Sequence, residues 1–494
     1  MPDASFDVVV VGDELPGLVF ASLCSRAGYT VLVVGHDSRP ATYSYQGSTL
    51  HRKMPLFHAL DSSPVIRETF RDAGLVAELR NRPKRLDPAY SVVTSTHRFD
   101  MRLRPEDLEQ EILREFGART QEILSFLHSL DTRSSGMGEL LTQLPLLPQK
   151  GFWAKRRLRK LLERSEPWAL AQNAPQFPLD LHFSSPLAAL AALQSRLNSN
   201  PACPISSHRL LLHSTSGTLE LPHGASGLSH LFLQRLLATG GQHWPERAVE
   251  HFTVKRKKAR EVFVQRPRRV VEAKVVVGAC NFRSFYNLVP QEQQDTSFHS
   301  FIKSRQPSHY DYVLNMGIPI DIIPEAMEQH TILSLYPEQQ HTGPNLLRLN
   351  LARPEAPGTT KPAVVTAIAR ITASELPLQP EQFNDLDNRI VSALEWAIPF
   401  IRRHIIWKHS PYVTLDPDTQ SPRLDPSELQ EVFGTPAEGC LDLSAVPASS
   451  AYKNVIYIGE HYLGALGLEG EFLAANQAFK WVAQRIRLKR LLGK

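Results

Sequence analysis

Gly12 and Gly17 bracket a turn, Gly12-Asp13-Glu14-Leu15-Pro16-Gly17, that follows the apolar run Val8–Val11 and precedes an apolar stretch from Leu18 to Gly28. A strand, a glycine turn and a helix start can hold a pyrophosphate. The helix start offers unpaired N–H groups and a partial positive charge, and glycine lets the backbone approach closely. A second candidate lies near the C-terminus, where Asn454-Val-Ile-Tyr-Ile458 runs into Gly459-Glu460, followed by Gly464, Gly467 and Leu468-Glu469-Gly470. Glu460 stands where a carboxylate serves a ligand or caps a helix. His461 follows it, and a surface or packing role outweighs a ligand role there. Cys280, after the strand-like Lys274 to Val277, has no basic neighbour in sequence to lower its pKa, so a small buried apolar role is expected. The 19 histidines form no H-E-x-x-H pattern, and Cys24, Cys203, Cys280 and Cys440 lie far apart without a C-x-x-C pair, so no metal site is expected.

The elements that position these residues read as α/β. Val8–Val11, the helix after Gly17 and the β-branched run Thr30–Val34 form a parallel βαβ unit. Leu108, Ile112, Phe116, Ile123 and Leu127 recur at helical spacing, so one helix is expected from Pro105 to Leu130. Residues 136–200 read as mostly helical but broken by prolines. Past the turn Pro222-His-Gly-Ala-Ser-Gly-Leu228 another helix leads to Gly240-Gly241. Strands are expected at Val249–Val254, Val262–Gln265, Ala273–Gly278, Thr331–Leu335, Leu346–Leu351 and Ala363–Ala369. A long helix is expected from Gln382 to Ile406 and a final one from Glu471.

The chain has 494 residues, 42% hydrophobic and 21% charged, which excludes collagen-like, coiled-coil and wholly disordered chains. Its 55 basic and 50 acidic residues leave +5, which permits an anionic partner without demanding one. No stretch reaches the roughly 18 apolar residues of a membrane span. The opening Met1–Asp7 lacks a basic leader region, and the cysteine usage fits a reducing compartment, so a cytoplasmic location is expected. Two stretches, residues 152–162 and 481–492, interleave Lys and Arg with Trp and Leu, as a helix lying on anionic lipid would. A solvated helix face with its leucines in the core is the commoner outcome. Lys255-Arg-Lys-Lys258 is expected to be an exposed hairpin turn. No aromatic residues interleave with it, so no nucleic-acid partner is expected.

Three separated segments together resemble the flavin-containing amine oxidase and phytoene desaturase superfamily. They are Asp7–Val34, the passage from Pro222 through His251-Phe-Thr-Val254 to Asn281, and Asn454–Gly470. The resemblance implies an FAD/NAD(P)-binding Rossmann-like domain with an inserted mixed α+β substrate domain. It places Gly12, Glu14 and Gly17 at the dinucleotide turn and Val249 beside the adenine. Gly459 and Glu460 would face the ribityl chain and pyrophosphate, and Gly467, Leu468, Glu469 and Gly470 would form the helix start beside the isoalloxazine ring. The sequence departs from that pattern at three places. Glu14 replaces the middle glycine, adding bulk and like charge. Two unit charges about 4 Å apart repel by roughly 4 kcal/mol at an effective dielectric near 20. Gly35 stands where an acid would bind the ribose, and Ser38-Arg-Pro-Ala-Thr42 replaces a glycine-rich stretch.

The expected organisation is a discontinuous nucleotide-binding domain over residues 1–90, 220–300 and 445–494, with residues 91–219 and 301–444 as substrate domain. The function the resemblance implies is an FAD-dependent oxidoreductase that passes hydride between an apolar small molecule and flavin. The alternative is a cofactor-free relative acting as a binding or scaffold protein.

Overall fold

Residues 2–54, 56–134, 136–172, 181–198, 204–216, 218–221, 224–245, 247–339, 342–354, 361–376, 380–415, 422–424, 428–434 and 439–491 are described by the structure, a computed structural model. The valine run forms the strand Ala4–Val11, paired in parallel with Val31–Val34 on one side and Arg269–Gly278 on the other. Val8–Val11 are 0% exposed, since a central parallel strand is covered on both faces and therefore reads as unbroken apolar sequence. The seven-stranded sheet continues outward to Gln242–Trp244 at one edge. At the other lies the antiparallel hairpin Val249–Lys255 and Lys258–Val264. Val455–Tyr457 joins it in parallel beside the end of Arg269–Gly278. The hairpin turns through Arg256 and Lys257, whose φ angles of 52° and 59° are those of a two-residue type I′ turn. The basic run is thus a tight turn, as the sequence suggests. Helices Leu15–Arg26, Gly224–Ala238 and Gly467–Leu491 pack around this sheet.

A second, eight-stranded sheet is built on Pro307–Ile318, which pairs antiparallel with Ala363–Thr372, Trp407–His409 and Gln430–Phe433. Leu346–Ala352, His330–Ser334, Ser91–Val93 and Arg98–Asp100 extend it. Strand alternation sends Leu333, Leu347 and Leu349 into one core, with Leu386 and Ile390 of helix Pro380–Leu394. It sends Ile332 and Leu346 into another, with Phe183, Leu187 and Leu211 of the helices Leu181–Gln194 and Pro204–Thr215. The sheet is therefore covered by helices on both faces.

Two expected helices are shorter than their periodicity. The segment from Pro105 divides into Pro105–Phe116 and Thr120–Ser134, because Gly117 takes φ 52° and a 3-10 turn follows. The segment after Gln382 ends at Leu394. Pro399 disfavours helical backbone at the preceding residue, Phe400 takes φ 64°, and only Ile401–His404 resumes the helix. The last helix begins at Gly467, one turn earlier than expected.

Close approach fixes the glycines of the first turn. Gly12 has φ 95°, donates its N–H to Val34 O at 2.8 Å, and would place a Cβ 2.2 Å from Ala279 O. Gly17 would place one 2.5 Å from Ala279 Cβ. Gly12→Ala is expected to destabilise the fold by at least about 2 kcal/mol, from backbone strain and overpacking together. Urea unfolding followed by circular dichroism checks this.

Candidate functional site: the cleft between the sheets

The parallel strands Ala4–Val11, Val31–Val34, Arg269–Gly278 and Val455–Tyr457 all point their C-terminal ends at one cleft, where α/β folds bind ligands. A cavity of about 1170 Å³ opens there, at or above the usual ~300–1,000 Å³ of small-molecule sites. One end is lined by Asp13, His36, Arg39, His243 and helix residues Ser226 and Ser229. The other reaches the second sheet at Arg348 and Ile368, with Met54, Phe57, Leu193 and Tyr412 also on the wall. Glu14, Lys53, Arg196, Glu460, Leu468 and Glu471 stand between them. Apolar and charged side chains are mixed along the wall.

At the first turn the chain uses its own donors. Glu14 N–H is donated to Ala279 O at 3.2 Å, and Pro16 in the first turn of Leu15–Arg26 has none to give. The Glu14 carboxylate crosses the cleft and accepts Glu460 N–H at 3.1 Å. Asp13 pairs with Ser38 Oγ and with His243 Nε2, the latter at 3.3 Å. Val249 N–H is donated to His36 Nδ1 at 3.3 Å. Gly35 donates to Trp244 O at 2.9 Å, and a Cβ there would lie 2.1 Å from Pro245 O. Its place is therefore closed to any side chain.

The middle of the cleft is a network of charges. Glu460 accepts from Lys53 Nζ at 3.2 Å and Gln430 Nε2 at 3.2 Å, with Arg196 Nε at 3.7 Å. Burial pushes its carboxyl up, but Lys53 and Arg196 more than reverse this and hold it well below the usual range. Glu14 goes the other way. Burial, then the charge of Glu460, raise it to about 8 against the opposing pull of Lys53. Glu471 is raised to about 7 by burial and by Glu460, with Arg196 opposing. Of these neighbouring carboxyls one is firmly ionised, and two hold protons close to neutral pH.

The structure brings Glu14, Glu460, Gly467 and Leu468 to the cavity wall. Gly12, Gly17, Gly459 and Gly470 act instead through close packing. A Cβ on Gly459 would meet Tyr457 Oη at 2.3 Å, and one on Gly470 would meet Leu463 O at 2.1 Å. Two more of the named residues lie off the cavity wall. Val249 is buried outside the cavity wall, with its N–H taken by His36. Glu469 turns away from the cleft and is 0% exposed, held by Arg209 Nε at 2.9 Å and Ser63 Oγ at 2.6 Å. Helical geometry is the reason: residues 468 and 471 share a face, and 469 does not. His461 is buried against Phe282 and Phe433 while also touching the cavity, and Cys280 is buried. Sequence reasoning missed Lys53, Arg196, Arg348 and Glu471. A signal for Arg348 was present, as a lone cation inside the apolar strand Leu346-Leu-Arg-Leu-Asn-Leu351.

The stretch at 152–162 is the helix Phe152–Glu163, whose Leu158, Leu161 and Leu162 pack against the main core, while Phe152 and Trp153 are 70% and 68% exposed. In the last helix Val482 and Ile486 are buried, and Arg485 lies over the Trp481 ring at 4.1 Å. Position 492, Cys203 and the turn residues Pro222 and His223 lie outside the described residues. Among the described residues no cluster fit to hold a metal ion is found, and no helix is long and apolar enough to cross a membrane.

FAD can be tested against these residues. Its pyrophosphate would need the turn's N–H groups and Glu460 N–H, and its adenine the Val249 backbone. The Glu14 carboxylate takes the Glu460 donor, His36 takes the Val249 donor, and no acid has room at Gly35. The residues of the adenosine and pyrophosphate half do not fit the group.

Because the folded pKa of Glu14 lies above the ordinary value near 4.5, its stabilising contribution is fully present below about pH 4.5 and is lost as pH rises through about 8. Glu14→Gln keeps the acceptor for Glu460 N–H but cannot ionise. The variant is expected to melt with the parent at about pH 5 and a few degrees above it at about pH 9. Thermal melts across that range decide it.

No protein-family pattern matches the sequence, and no curated protein is significantly similar to it. Solved structures do resemble it. An oxidoreductase from Methanosarcina mazei superposes with a TM-score of 0.60 at 13% identity, covering 96% of this chain and 99% of that one. Cyclohexylamine oxidase from Brevibacterium oxydans gives 0.52 at 13%, covering 98% and 99%. Putrescine oxidase bound to putrescine gives 0.53 at 12%, covering 98% and 99%. At such identities the likeness is one of fold. The chain shares the overall α/β architecture of these structures, and in it a Rossmann-like parallel sheet is joined to a second, largely antiparallel sheet.

Proposed function

We propose that this chain is a small-molecule-binding protein built on the flavin oxidoreductase fold, with the dinucleotide half of its cleft closed by its own side chains. One observation carries the reading: the Glu14 carboxylate and the His36 ring occupy the two main-chain donors, Glu460 N–H and Val249 N–H, that a bound dinucleotide would need. The large cavity beyond them supports a retained ligand site.

A second reading is the FAD-dependent oxidoreductase that passes hydride between an apolar substrate and flavin. It is favoured by Glu460, Gly467 and Leu468 meeting at one cavity and by the fold shared with the amine oxidases. It requires Glu14 and His36 to leave their partners.

The visible spectrum of the purified protein separates the two. The expected result is no flavin absorbance and no rise in melting temperature on adding FAD. Flavin near one per chain would overturn the first reading. In the double variant Glu14→Gly/His36→Ala two donors are freed, so FAD affinity is expected to rise at least about tenfold over the parent. An unchanged affinity would show that these side chains are not what excludes it.

Contact with an anionic membrane surface is a further part of the proposal, supported by exposed Phe152 and Trp153 beside Lys155, Arg156 and Arg159. Flotation with phosphatidylserine vesicles is expected to fall when both aromatic residues are changed to alanine. Flotation indifferent to that change and to salt counts against it.

A further inference from the structure

We propose that the sheet end of the cleft binds the carboxylate of a small amphipathic acid, with the headgroup held between Arg196 and Arg348 and the apolar body laid against Met54, Phe57 and Ile368. The inference rests on reading the cleft as a small-molecule site.

Three guanidinium groups gather around one carboxylate, Asp311. Arg370 is its cross-strand neighbour and binds it through Nε at 2.8 Å and Nη2 at 3.3 Å. The rest of Arg370 reaches the carbonyls of Ala192, Leu193 and Ser195 at 2.6, 3.3 and 3.2 Å, where helix Leu181–Gln194 ends and leaves acceptors unpaired. Arg370 is therefore fully engaged, and its role is to hold the sheet to the helix.

Arg196 and Arg348 are not. Arg196 comes only to 3.9 Å from Asp311 and 3.7 Å from Glu460, both beyond hydrogen-bond length. Arg348 donates Nη1 to Leu193 O at 3.2 Å. Each guanidinium carries five N–H donors in a planar fork, and among the described residues Arg348 makes one side-chain hydrogen bond and Arg196 two longer ion pairs, while both line the cavity. Burial pulls Arg348 down to about 10, Arg196 and Arg370 add to the fall, and Asp311 opposes it. It stays charged at neutral pH, at a point already crowded with positive charge.

The acids on the same wall do not cancel that charge. Glu460 is shared by Lys53 and Arg196, Asp311 is bound by Arg370 with Arg196 at 3.9 Å, and Glu14 and Glu471 hold protons near neutrality, so among the described residues no acid is dedicated to Arg348. An incoming carboxylate would meet forked donors that suit it in bidentate geometry. Met54, Phe57 and Ile368 are each less than a tenth exposed and line the same cavity, Ile368 as the cross-strand neighbour of Arg348, which makes the site amphipathic rather than one for a bare inorganic anion.

The test uses the full chain and isothermal titration with three probes on one skeleton: 3-phenylpropanoate, 3-phenylpropan-1-ol and 3-phenylpropylamine. The acid is expected to bind at least about tenfold more tightly than the alcohol or the amine. Arg348→Gln is expected to lose that advantage, so that acid and alcohol bind alike. Arg196→Gln provides the same comparison if the first variant fails to fold. No binding of the acid, equal affinity for the three probes, parental discrimination in the folded variants, or inorganic phosphate binding as tightly as the acid would each overturn the proposal. The spectrum of the same preparation keeps the two readings apart. Flavin present with acid binding intact overturns only the cofactor-free reading, and flavin-free protein that ignores the acid overturns only this one.

Discussion

A main-chain N–H at the end of a parallel strand has to find an acceptor, and at Glu460 that requirement organises the cleft. Left unpaired in a buried place, such a donor costs about 1–3 kcal/mol. Here the acceptor is a side chain of the same molecule, Glu14, reaching over from the turn between the first strand and the first helix. That contact ties together two segments at opposite ends of the chain. It also sets the protonation of the site, because the neighbouring carboxylate of Glu460 keeps its charge through Lys53 and Arg196 while Glu14 is pushed toward the neutral form.

The cleft thus has two halves of different character. Around the first turn, donors and acceptors are paired within the chain: Asp13 with Ser38 and His243, His36 with Val249, Gly35 with Trp244. A ligand entering there would have to break each pair it replaced. Toward the second sheet the reverse holds. Arg370 and Asp311 satisfy one another, and Arg196 and Arg348 are left with more donors than neighbours.

The buried carboxylate of Glu469 shows the opposite use of a charge. It lies one residue from the cavity-lining Leu468, yet it is enclosed by Arg209 and Ser63, with His213 Nε2 at 3.4 Å. Arg209 belongs to helix Pro204–Thr215 and Ser63 to the cap of helix Pro64–Ala73, so one carboxylate joins three distant segments. Removing either partner of such a pair strands a charge in the core, typically at a cost of about 3–5 kcal/mol. Its role is to fix the last helix against these two segments.

Local patterning by itself determined the βαβ unit, the glycine turn, the basic hairpin turn, most strands of the first sheet and three of the eight in the second, because unbroken valine runs, alternation and helical spacing are properties of neighbouring residues. It also showed that Glu14 and Gly35 break the dinucleotide pattern. Two helices were read too long, because the breaks at Gly117 and Phe400 depend on backbone angles that apolar spacing does not encode. Only the tertiary structure decided what Glu14 and His36 bind, since their partners lie 446 and 213 residues away. Tertiary packing likewise turned Glu469 away from the cleft and Glu471 toward it on one helix, and set Arg348 near Arg196. Which charges meet depends on how sheets and helices stack, and a linear order of residues carries that information only after the chain has folded.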